Sequence, residues 1–193
     1  MGTSPSAAQL SLGFYGPFTS ASHMTMVAGM VADLDFKKNT DPTLVARFGP
    51  PIIQIPNLNP NLTVKLQIGT SNADPNVGVA TALDFFIGRN GQDMTVGLIG
   101  GQRSSVAMPV ASVAAGFKVP QIAFGATSFL VSNKASYPYF LRTVPPDSIQ
   151  GLALWGWITY FNVPQVVVLF SQEPYGQGLS GAISAIAAQN DQI

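Results

Sequence analysis

A chain of 193 residues can bury a sizeable core, and its 9 basic and 9 acidic residues cancel, which excludes recruitment of nucleic acid or an anionic membrane by net charge. The absence of cysteine removes disulfides, thiolate metal sites and cysteine nucleophiles together. Only 9% of residues are charged and 47% are hydrophobic, against about 25% charged in an ordinary soluble domain, so other chain, a partner or glycan is expected to cover much of the surface.

The first 25 residues lack a basic start followed by an apolar run, so no signal peptide is read there, and a secreted protein would carry its leader upstream. Residues 10–15, Leu-Ser-Leu-Gly-Phe-Tyr, read as a first strand ending at Gly16-Pro17. Residues 20–36 follow with Met24, Val27, Ala28, Val31 and Leu34 at helical spacing. His23, the one histidine, is taken as a surface or capping residue near that helix start. Residues 39–61 hold five prolines and read as a long surface excursion. It ends in the sequon Asn61-Leu62-Thr63, which matters only if the chain enters a secretory route.

The pattern then repeats. Residues 62–68 alternate apolar and polar side chains, as a strand does, and Asp74-Pro75 opens a helix running to about Ile87. Residues 94–99 form the next strand, and Gly100-Gly101 the turn after it. Ser104 or Ser105 caps a helix that reaches Ala115, with a kink expected at Pro109 and a stop at Gly116. Residues 119–124 read as a fourth strand, released into Gly125-Ala126-Thr127-Ser128. Asp147, after Pro145-Pro146, begins a further helix and reads as its cap.

Residues 151–170 carry no charge over about the length that crosses a bilayer. Asn162-Val163-Pro164-Gln165 interrupts them with turn chemistry, so helix, turn and a buried strand at residues 166–170 is the preferred reading.

Strands alternating with helices predict an α/β fold with a parallel sheet flanked by helices. Ligands of such sheets collect beyond the carboxyl ends of the strands, which directs attention to the polar loops at 16–20, 70–74, 100–105 and 125–128. Catalysis fails on inventory, because the chain has one histidine, no Gly-x-Ser-x-Gly elbow and no P-loop, and the glycine run at 97–101 after its strand lacks the order Gly-x-Gly-x-x-Gly. No enzyme activity, metal or cofactor is therefore expected. Anion binding fares better, since Ser104 and Ser105 stand where a strand hands over to a helix N-terminus, although plain capping also explains them. Capping or turn roles equally explain Thr127 and Ser128, and packing against its turn explains Tyr175 in "EPYGQG".

The order of these motifs over residues 97–183, from "GLIGGQRSSVAMPVASVAAGF" through "VPQIAFGATSF" and "FLRTVPPDSIQ" to "SQEPYGQGLSGAI", resembles the type I periplasmic-binding-protein fold. It is most similar to receptor ligand-binding regions, those of class C G-protein-coupled receptors and natriuretic-type receptor cyclases. Bacterial leucine and branched-chain amino-acid binding proteins are more distant relatives. Before residue 94 the likeness is looser, resting on strand-helix order and "SNADPNVGVATALDF".

The resemblance implies two lobes that close on a small ligand, with residues 9–144 as an incomplete lobe 1 and 145–193 as the beginning of lobe 2. It implies that Ser105 and Thr127, with Ser104 and the backbone at Gly125 and Ala126, receive a ligand carboxylate. Asp147 is matched to the acid that faces the ligand's ammonium, and Tyr175 to the aromatic packed over it. Gly125 departs from the amino-acid receptors of the family, which often have a hydroxyl residue there, and the chain departs from animal members in lacking cysteine. What is implied is a fragment of an extracellular domain of a membrane signalling receptor, sensing an amino acid or analogue, with its membrane segment downstream and homodimerisation through lobe 1. The alternative is a periplasmic or secreted solute-binding protein of an amino-acid transport system, and a third reading is a degenerate fragment that binds nothing.

Overall fold

The computed structural model describes residues 9–17, 30–31, 33–35, 37–51, 54, 63–91 and 93–190. Five strands form one sheet in the order β2-β1-β3-β4-β5. They are β1 (Gln9–Gly16), β2 (Thr63–Thr70), β3 (Gly97–Gly100), β4 (Gln121–Ala123) and β5 (Phe140–Arg142). Every neighbouring pair is parallel, with Gln9 opposite Thr63, Leu12 opposite Gly97, Leu98 opposite Gln121 and Gln121 opposite Phe140. The expected α/β class and parallel sheet are therefore present.

The helices are α1 (Pro42–Phe48), α2 (Pro75–Ile87), α3 (Ser104–Phe117), α4 (Asp147–Tyr160) and α5 (Pro174–Gln189). Asp74 caps α2 as expected, its carboxylate accepting from the Asn76 and Val77 N–H groups at 2.8 and 3.0 Å. Tyr15, Phe85, Phe86, Leu98, Val106 and Val110 form the main core, where α2 and α3 meet the sheet. A second cluster of Ala107, Ala111, Ala123, Ala126, Val131 and Phe140 joins the other side of α3 to β4 and β5. Small residues at those α3 positions let it approach closely, so the start of α3 and the end of β4 are held in fixed relation.

Several boundaries differ from the sequence reading. Residues 30, 31, 33–35 and 37 are helical, while His23, Met24, Val27 and Ala28 lie outside the described residues, as do Asn61 and Leu62 of the sequon. The excursion at 39–61 contains α1, which buries none of its residues and is started by Asp41 accepting from the Thr43 N–H at 2.8 Å. Asp41-Pro42 is a start signal of the same kind as Asp74-Pro75, hidden among other prolines. β3 is shorter than the stretch 94–99, and β4 shorter than 119–124.

Neither Ser104 nor Ser105 caps α3: Arg103 occupies the capping position without a side-chain bond. The helix runs past Gly116 and ends at Lys118, whose φ of 58° turns the chain. Asp147 likewise stands inside α4, with Pro146 at the capping position. β5 was not foreseen, because three residues between proline-rich segments show no alternation.

The largest difference lies at residues 166–170, which form no strand; Val167 is 78% and Leu169 92% exposed. A strand is completed by ladder partners, and no described strand lies beside this run. The stop after α4 is as expected, with Asn162 at φ 49° and its N–H donating to the Thr159 carbonyl. Among the described residues no helix is long and apolar enough to cross a membrane.

Candidate functional site

The sheet order reverses direction at β1, which is flanked by β2 and β3. In open α/β sheets the crevice outside such a switch point is where ligands bind. A cleft of about 810 Å³ lies there, lined from three sides. Gln102, Arg103, Ser104 and Ser105 come from the end of β3 and the start of α3, Gly125 and Thr127 from the loop after β4, and Ser171, Glu173 and Tyr175 from the entry to α5. Its size falls within the roughly 300–1,000 Å³ of small-molecule sites.

The 125–128 loop is held by a set of hydrogen bonds from three directions. The Ser128 N–H donates to Ser104 Oγ at 3.2 Å, so the first serine of α3 fixes the loop. Arg142 at the end of β5 donates through Nη1 to the carbonyls of Ala126, Thr127 and Ser128 at 3.4, 3.1 and 2.8 Å, and through Nη2 to Ser132 Oγ. The Asp147 N–H donates to the Thr127 carbonyl at 2.8 Å. Ser128 Oγ accepts from the Leu130 N–H at 3.4 Å and so starts a short 3₁₀ turn.

Of the residues named from the sequence, Ser104, Ser105, Gly125, Thr127 and Tyr175 meet on the cleft wall. Ser104 is buried and its oxygen is engaged by Ser128, whereas Thr127 Oγ1 is buried without a hydrogen-bond partner. Tyr175 is 41% exposed, leaving its ring available to the cleft. Ala126 faces away, into the small apolar cluster. The glycine at 125 has a steric reason, since a Cβ there would stand 2.7 Å from the Gln102 carbonyl oxygen.

Asp147 is not on the wall. It is fully buried, and neither carboxyl oxygen has a hydrogen-bond partner. A Cβ on Gly178 of α5 would lie 2.9 Å from Asp147 Oδ2 and 3.3 Å from Ser128 Oγ, so α5 closes over the carboxyl through a glycine. Burial pushes the Asp147 carboxyl up, while the neighbouring Thr127 hydroxyl and the Arg142 guanidinium draw it back less strongly and the Glu173 charge adds a little to the rise.

Two ionised cleft residues escaped the sequence reading, Arg103 and Glu173. Burial alone pushes the Glu173 carboxyl up, yet the N–H groups of Tyr175 and Gly176, the Ser171 hydroxyl and the Arg103 charge together hold it below the usual range. The available signal was their placement just before helix starts in a chain with few charges. Among the described residues no group of three or more His, Asp or Glu is arranged to hold a metal. The cleft offers hydroxyls, a helix N-terminus, one cation, one anion and an aromatic face, a set suited to a small polar ligand with both charges.

The family described as the receptor family ligand binding region matches residues 52–193. The metabotropic glutamate receptor of Drosophila melanogaster is 38% identical over 81 residues, which make up 42% of this chain and 8% of that receptor. The match thus covers a small part of a much longer relative. On the extent of the family match and the sheet that carries the cleft, this chain belongs to the receptor family ligand-binding regions.

Proposed function

We propose that this chain is part of the extracellular ligand-binding domain of a membrane signalling receptor of the G-protein-coupled type, and that it senses a small amine-bearing ligand, an amino acid above all. The observation that carries the reading is the convergence of Ser105, Thr127 and Tyr175 on one cleft at the carboxyl end of the sheet. Thr127 Oγ1 is buried beside the Asp147 carboxyl and has no hydrogen bond of good geometry, so a ligand oxygen can offer it a better acceptor. With Ser105 and the start of α3 it receives the ligand's carboxylate, and Tyr175 packs on the amine end.

Residues 9–144 then act as lobe 1 and residues 145–193 as the beginning of lobe 2, with the cleft walls belonging to both. Signalling follows if the ligand binds the closed arrangement better and shifts the population towards it. Asp147 stays behind the wall, closed off from the ligand by α5 at Gly178. Membrane attachment, pairing of two lobe 1 surfaces and the downstream effector belong to the same proposal.

Titration calorimetry of the intact protein with a panel of L-amino acids tests the reading. At least one is expected to bind, and Thr127→Ala to weaken it by up to about tenfold, the worth of one net hydrogen bond. Small-angle scattering is expected to show a smaller radius of gyration with that amino acid. Absence of binding across the panel, or full affinity in Thr127→Ala, refutes the assigned site.

A further inference from the structure

Ser105 and Thr127 are neutral, and leave unexplained how the cleft balances full charges on a ligand. Arg103 and Glu173 stand on its walls. Arg103 is exposed at the position before α3 and makes no side-chain capping bond. The ion pairs within 4 Å among the described residues join Lys37 to Asp33, Lys38 to Asp35, Lys65 to Asp93 and Arg89 to Asp84. The Arg103 guanidinium is engaged in none of them.

Glu173 stands at the capping position of α5, on another wall of the same cleft. Its Oε1 accepts from the Gly176 N–H at 2.8 Å and the Ser171 hydroxyl at 3.0 Å, and its Oε2 from the Tyr175 N–H at 3.0 Å. A carboxylate offers about four lone-pair sites, so Oε2 keeps one for a further donor. The same three donors fix the carboxylate in position, which lowers the entropy lost when a ligand docks. Asp147, in contrast, is fully buried under Gly178 and behind Thr127.

We propose that Glu173 provides the counter-charge for the ligand's ammonium and Arg103 that for its carboxylate, so that this chain selects zwitterions through these two wall residues rather than through Asp147. The inference rests on the reading of the cleft as the site of an amine-bearing ligand. Its physical basis is that a charge taken into a cleft without a partner is costly. A guanidinium meets a carboxylate bidentately, and the N-terminus of α3 beside Arg103 adds its positive end to the same oxygens. The two wall charges sum to zero, as do those of a zwitterion. A diamine or a diacid leaves one of its charges opposite a like charge.

The test is calorimetry of the intact protein with L-alanine, L-serine, L-leucine and L-glutamate, with propionate and ethylamine as single-charge competitors. Glu173→Gln and Arg103→Gln are each expected to weaken the bound amino acid by about 10- to 100-fold, the range of a lost charge-assisted hydrogen bond. Asp147→Asn is expected to change it by less than about threefold, within the scatter of substitutions that touch no ligand. Competition by propionate survives in Glu173→Gln and is lost in Arg103→Gln, with the reverse for ethylamine, a split that weakening of α5 does not produce.

Unchanged amino-acid affinity in either charge variant overturns the pairing and leaves the amino-acid reading standing, as does a large loss confined to Asp147→Asn. Failure of the unmodified protein to bind any of the four amino acids overturns both. The Arg103 side chain makes no bond to its own helix, so Arg103→Gln remains decisive even if Glu173→Gln, which loses part of the α5 cap, does not fold.

Discussion

Arg142→Met is the substitution that most directly tests how the cleft loop is held. The guanidinium donates to three consecutive carbonyls, those of Ala126, Thr127 and Ser128, at 3.4, 3.1 and 2.8 Å, and to Ser132 Oγ. Methionine keeps the apolar stem and removes every donor. The three carbonyls share one Nη1, which has two hydrogens, so the set counts as two bonds from Nη1 and one from Nη2. At about 1 kcal/mol net apiece the loss is about 3 kcal/mol.

The Thr127 carbonyl keeps its bond from the Asp147 N–H at 2.8 Å, which limits the damage to the ends of the loop. Arg142→Lys retains a charge near Asp147 but has no planar fork, and is expected to recover only about 1 kcal/mol of that loss. Urea unfolding is the assay, read as a lower midpoint at unchanged m-value. A loss for Arg142→Met within the ~0.5 kcal/mol typical of surface substitutions refutes the account. Full recovery by lysine shows that charge, and not the fork, holds the loop.

Gly125→Ser is expected to destabilise by about 1–3 kcal/mol through overpacking, because its Cβ meets the Gln102 carbonyl oxygen at 2.7 Å. An unchanged melting temperature contradicts this. Asp147→Asn gives a pH-dependent effect whose sign follows from burial, which pushes the carboxyl of the folded protein above its unfolded value. The native state therefore binds that proton more tightly, and its ionisation costs stability as pH rises through the unfolded and then the folded pKa. The variant escapes this cost, so its stability relative to the parent is expected to grow with pH across the carboxyl range and then level off. Unfolding curves measured from acid to neutral pH check it, and a flat or falling difference refutes it.

Much of the architecture was legible because it is written in local chemistry. Asp74-Pro75 satisfies the first N–H groups of α2, Asn162 accepts the left-handed turn that stops α4, and apolar residues alternate with polar ones along β2. α1 and β5 were less visible for opposite reasons. α1 buries nothing and so shows no apolar stripe, while β5 is three residues long and takes its pairing from β4. Residues 166–170 have the composition of a buried strand, but composition states only a preference, and without a ladder partner among the described residues that preference yields no strand.

The candidate site divides along the same line. That Ser105, Gly125, Thr127 and Tyr175 belong near one another follows from each lying just after a strand or at a helix start, positions that a parallel sheet gathers at one edge. Which atoms reach the cleft is a matter of long-range packing. Ser104 Oγ supports the loop by accepting from the Ser128 N–H, 24 residues away. Asp147, one of the matched ligand residues, is closed off by Gly178 from the next helix, whereas Arg103 and Glu173 face the open space. Gly125 is required because the Gln102 carbonyl comes within reach of it. Local sequence sets where a backbone turns and which termini carry free N–H groups. Whether a charge is buried or exposed depends on what packs over it, and here that is settled by α5 meeting the loop after β4.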